Sequence, residues 1–273
     1  TATASINITI EPYPILSVSP ASALICSGQS INLTANGATT YNWTPSAGLS
    51  SATSHIVIAS PVITTTYTLT GTSLNGCSST INYVIDVMPS PQINFTANTF
   101  NGCPPLSVEF NDMSSGNIVT WNWNFGDPVS GASNVSNIPN PIHIYTVPGF
   151  YNITLSIVND SGCSSTFVNT NMINVFSEPI ASFYISPSIG NIDLPINFID
   201  QSTNAISWFW NFGEHTSGNE NFSNIPSPVH IYSTDGEYEV SLTITDANGC
   251  EDSTSNKVII QDNYTLWAPT AFT

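Results

Sequence analysis

The side chains of this 273-residue chain that could do chemistry are four histidines, five cysteines and 18 acidic residues, set against a single basic residue, Lys257. Two histidines recur in one pattern, Pro141-Ile142-His143-Ile144-Tyr145 and Pro228-Val229-His230-Ile231-Tyr232. Enzymes rarely duplicate an active site in tandem, so a repeated histidine reads as a structural one, bonded to a nearby loop beside the core tyrosine. Neither a nucleophile elbow for Ser-His-Asp catalysis nor a glycine loop for phosphate appears, and no catalytic residue is expected. The cysteines flank successive thirds of the chain. Cys26 and Cys77 bracket the first and Cys103 and Cys163 the second, while Cys250 stands alone because Asn191 occupies the place of Cys103. This predicts structural disulfides Cys26–Cys77 and Cys103–Cys163 with Cys250 as an unpaired thiol, in an oxidising, extracellular compartment. A zinc site would need histidines clustered with the cysteines, and they are not.

Oxygen ligands concentrate at Asp246-Ala247-Asn248-Gly249-Cys250-Glu251-Asp252. That makes Asp246, Asn248 and Asp252 the candidates for a Ca2+ site, although the twelve-residue spacing of an EF-hand is missing and a solvated Asn-Gly turn uses the same residues. No other cofactor is expected. The formal charge of −17 excludes a phosphate-neutralising surface, so nucleic acid is not a partner and anionic lipid is disfavoured. No apolar run approaches the ~20 residues that a membrane helix needs, so membrane insertion is not expected.

These residues must be positioned by strands. Trp121-Asn122-Trp123-Asn124-Phe125-Gly126-Asp127 returns as Trp208-Phe209-Trp210-Asn211-Phe212-Gly213-Glu214. The side-chain period of a strand is two, so Trp121, Trp123 and Phe125 share one face, as do Trp208, Trp210 and Phe212. Alternation with asparagine fits core packing better than a carbohydrate-binding platform. Further segments repeat at the same offset of about 87 residues, including Pro148–Leu155 with Asp235–Leu242 and Gly162-Cys163 with Gly249-Cys250. Short alternating runs separated by Gly, Pro, Asn and Ser predict all-β sandwiches and no helix longer than a turn.

The expected organisation is a tandem array. Residues 1–10 alternate like the last strand of a preceding module, which implies a chain cut from something longer. A sandwich then spans 11–88, a second 89–176 and a third 177–262, joined by short proline-bearing segments that are semi-rigid. Residues 263–273 form a linker into a domain that the chain does not finish.

The second and third modules resemble PKD domains. The carriers are Trp-x-Trp-x-Phe-Gly-Asp/Glu, Pro-x-His-x-Tyr and the Gly-x-Tyr-x-(Ile/Val)-(Thr/Ser)-Leu strand ahead of Gly-Cys. They depart from the family's usual Gly-Asp-Gly at Asp127-Pro128 and Glu214-His215. The first module is similar to Ig-like repeats in large surface proteins of gliding Bacteroidetes, through Ile25–Ser30, Gly37–Pro45, Gly48-Leu49-Ser50 and Thr64–Thr70. Trp267–Thr273 is similar to the opening of a type IX sorting domain, without that family's Pro-Asn-Gly-Asp-Gly continuation. The resemblances imply a non-enzymatic stalk of a secreted, cell-surface adhesin or filament used in attachment or gliding motility. Its implied partners are other modules of the same long chain, the type IX secretion machinery through a missing C-terminal domain, and surface polysaccharide. The alternative is a set of accessory modules of an extracellular polysaccharide- or protein-degrading enzyme.

Overall fold

The computed structural model describes residues 12–262. The expectations for residues 1–10 and for the 263–273 linker lie outside the described residues. Within 12–262 the chain is almost entirely β and forms tandem β-sandwiches, as expected. In the first module, strands Ser17–Ser19, Ile31–Asn36 and Ile56–Ala59 make one sheet. The facing sheet runs in the order Ala23–Cys26, Ser78–Met88, Thr65–Thr72, Thr40–Thr44. Alternation in these strands delivers Leu33, Trp43, Tyr67, Leu69 and Ile85 into the space between the sheets, where each is buried.

The second and third modules share one plan. A three-stranded sheet faces one of five strands, in which the aromatic strand Ile118–Asn124 or Ser207–Asn211 lies between a short edge strand and the long hairpin. The hairpin strands are Gly149–Asn159 with Ser164–Val175, and Gly236–Thr245 with Glu251–Gln261. Trp123, Phe125, Trp210 and Phe212 sit at the middle of the cores, at most 2% exposed. Trp121 and Trp208 lie half-buried at the core margin, their indole N–H groups donating to Asp112 (2.6 Å) and Asp200 (2.8 Å). After each Gly-Asp/Glu the chain makes a short 3-10 segment, Pro128–Asn134 or His215–Asn221, interrupted at a glycine with positive φ. The Gly-Asp/Glu pairs mark a turn in the sequence, but its 3-10 form was not legible, because seven residues are too few to show a helical apolar face.

One pairing fixes where the cysteines go. The short strands Ala23–Cys26, Asn101–Gly102 and Ile189–Asn191 each run parallel to the last strand of their own module. Cys26 is therefore opposite Met88, and Gly102 opposite Val175, at the end where the chain leaves for the next module. Cys77, Cys163 and Cys250 occupy the turn that starts that last strand, at the other end of the sandwich.

Candidate functional site: stapled joints and a buried carboxylate–histidine pair

The disulfides join Cys26 to Cys163 and Cys103 to Cys250, with Cα–Cα separations of 5.6 and 5.5 Å, and Cys77 is the free thiol. This corrects the expected Cys26–Cys77 and Cys103–Cys163 pairs and the expected unpaired Cys250. The reason is geometric. A within-module pair would have to span the last strand, 11 residues in the first module and 12 in the second. At about 3.3 Å per residue that is roughly 35–40 Å, against the ~7 Å limit between bonded cysteine Cα atoms. The cysteine at the exit of one module instead meets the turn cysteine at the entrance of the next. Each bond closes a long loop, over sequence separations of 137 and 147 residues, worth about 5 kcal/mol against the open unfolded chain.

Hydrogen bonds set the turn cysteine in place. In the second module Asn159 accepts from the N–H groups of Ser161 (3.2 Å) and Cys163 (2.8 Å), and its own amide donates to the joint carbonyl of Pro89 at 3.0 Å. Ser165 donates to Pro91 at 2.7 Å. In the third module Asp246 plays the part of Asn159, accepting from Asn248 and Cys250, each at 2.8 Å. Burial of Asp246 opposes its charge, but the N–H donors of Cys250 and Asn248 outweigh it and hold the carboxyl below its usual range.

The three calcium candidates do not converge. Asp246 and Asn248 share the turn, but the Asp246 carboxylate faces the N–H groups just named. Asp252 instead accepts from Ala181 (2.7 Å) and Ser253 (2.8 Å). Among the described residues no group of three or more His, Cys, Asp or Glu side chains is placed to hold a metal ion.

The repeated histidines meet the repeated acids. His143 Nε2 lies 3.0 Å from Asp127 Oδ2, and His230 Nε2 lies 2.9 Å from Glu214 Oε2, all four side chains buried. Each ring stacks on the phenylalanine of the aromatic motif, Phe125 or Phe212, and meets its tyrosine edge-on. Tyr145 and Tyr232 in turn donate to the carbonyls of Phe125 and Phe212. Burial, reinforced by the neighbouring carboxylate, pushes both phenols well above their ordinary range. Glu214 is longer than Asp127 by one methylene and also accepts from the Ser233 N–H (2.8 Å) and hydroxyl (2.7 Å). Burial raises its pKa, but Ser233 and His230 more than offset this and leave it lowered. The pair ties the 3-10 turn to the opposite sheet.

Fold and joints together define a class: an all-β tandem array of sandwiches whose seams carry disulfides. The PKD domain family matches residues 86–175 and 179–260, and the chain belongs to that family. Collagenase ColA of Bacillus cereus is 32% identical over 82 residues, which is 28% of this chain and 8% of the collagenase. The chain thus corresponds to a small part of that relative's length. The PKD1 domain of the Vibrio cholerae metalloprotease PrtV is 32% identical, covering 32% of this chain and 99% of that domain, with a TM-score of 0.27. The PKD1 domain of Vibrio anguillarum Epp is 24% identical, covering 32% and 96%, with a TM-score of 0.27.

Proposed function

We propose that this chain is a non-catalytic, load-bearing segment of a secreted protein, the stalk of a large cell-surface adhesin or filament used in attachment or gliding motility. The observation that carries it is the placement of both disulfides across joints instead of through cores. A bond through a core would protect one fold. A bond across a joint fixes one module to the next, which is what a spacer under tension requires. The single basic residue, Lys257, which cannot form a polyanion-binding surface, and the buried state of the repeated histidines fit the same role. Export by type IX secretion, with that machinery as a partner, belongs to this proposal and rests on the sequence Trp267–Thr273 alone.

A second reading is favoured by the collagenase relative: accessory modules that hold an extracellular protein- or polysaccharide-degrading enzyme on its substrate. Co-sedimentation of the 273-residue chain with collagen fibres and with insoluble polysaccharides separates the two. The stalk reading expects no saturable binding and no hydrolysis. Saturable binding to either solid replaces it with the accessory reading, and hydrolysis by the chain itself overturns both.

A further inference from the structure

Cys77 stands in the same five-residue turn as the two turn cysteines that are bonded. In all three turns the N–H of the first residue (Ser73, Asn159 or Asp246) donates to the cysteine carbonyl at 2.9 Å, and the glycine N–H donates back to the first residue. The joint ahead of the turn is in the same place as well. Ser79 donates to Pro14 as Ser165 donates to Pro91, so Pro12-Tyr13-Pro14 corresponds to Pro89-Ser90-Pro91. What differs is cover. Cys163 and Cys250 are at most 1% exposed beneath the preceding module, whereas Cys77 is partly exposed.

A second observation lies at the same spot. The Ser73 hydroxyl is the one buried side-chain polar atom among the described residues that has no hydrogen-bond partner. Its counterpart Asn159 donates to the incoming joint, and its counterpart Asp246 is engaged by its own turn. A buried hydroxyl without a partner is destabilising, and the counterpart position in the second module is relieved of that by the carbonyl of the incoming joint.

We propose that Cys77 is the receiving half of a third staple. Its partner is a cysteine at the exit of a sandwich preceding this one in the same polypeptide, placed as Cys26 and Cys103 are. The inference is independent of whether the array serves an adhesin or an enzyme. The chemistry is thiol–disulfide exchange with a small disulfide oxidant of the glutathione class. The Cys77 thiolate attacks one oxidant sulfur and releases the other as a thiolate. The partner thiolate then attacks the Cys77 sulfur and expels the second oxidant thiolate. Two protein thiols lose two protons and two electrons, and the oxidant disulfide becomes two thiols.

The test adds a copy of residues 12–88 directly ahead of Pro12 in the full chain, so that the copy's Cys26 is presented at the joint. Oxidation with glutathione disulfide is followed by alkylation and non-reducing peptide mapping. The original Cys77 should become protected and linked to the copy's Cys26, leaving one alkylatable thiol, the copy's own Cys77. With Cys26→Ser in the copy, both Cys77 thiols should label. A second extension, residues 89–176 in place of 12–88, offers Cys103 and covers the case in which the first copy misfolds. The proposal is overturned if the original Cys77 still labels fully in both extended chains. It is equally overturned if Cys77 forms mainly Cys77–Cys77 dimers between molecules.

Discussion

Pulling the array between Pro12 and Asp262 converts the disulfide connectivity into a length. With both staples intact the shortest covalent path runs from Pro12 to Cys26, crosses to Cys163, returns along the second module to Cys103 and crosses to Cys250. That path holds about 86 residues, so at ~3.4 Å each the oxidised chain becomes taut near 290 Å. Residues 27–102 and 164–249 lie outside the tensioned path and remain slack. Reduction opens the whole contour, about 250 residues or roughly 850 Å. Bonds within modules, Cys26–Cys77 and Cys103–Cys163, would instead leave a path of about 139 residues and a limit near 470 Å. Single-molecule stretching with and without a phosphine reductant distinguishes all three lengths. An oxidised limit near 470 Å, or one unchanged by reduction, refutes the joint-crossing geometry and the load-bearing role argued from it.

Trp123→Ala and Trp210→Ala each empty the centre of a core and should destabilise their own module by about 3–5 kcal/mol in denaturant titrations. Gly213 has φ +80°, and a Cβ there would lie 2.5 Å from the Glu239 carbonyl oxygen, so Gly213→Ala should cost about 2 kcal/mol or more by thermal melting. The Glu214 pKa is lowered by folding, so its contribution is present above the unfolded value near 4.5 and is lost as pH falls through the folded one. Melting of the third module should therefore drop on acidification below that value, with a smaller acid-dependent loss in Glu214→Gln; equal slopes for the two proteins would count against the assignment.

Much of the fold was legible because it is carried by period-two alternation. The strand around Trp123 and its copy around Trp210 announce both their conformation and their buried face. The disulfide partners were hidden because they depend on the direction of very short strands. Asn101–Gly102 has two residues, too few to carry any periodicity, yet its parallel pairing decides at which end Cys103 stands. The pairing left a different trace: the separations 137 and 147 are alike because the second bond repeats the first one module further on. The carboxylate–histidine pair was half visible. Both motifs stood out separately, and the hint that they touch is that an acid lies 16 residues ahead of the histidine in each copy.

Each seam draws one cysteine from either side, and this bears on how such a gene can change. If residues 89–176 were lost as a unit, Cys103 and Cys163 would leave together, and Cys26 would face Cys250 across the new seam. Duplication of the same unit supplies one exit cysteine and one turn cysteine. This unit can thus be deleted or multiplied by recombination without stranding a thiol. A bond inside each module would give that freedom too, but it would leave the new neighbours unattached. Here a length variant is locked together from its first generation.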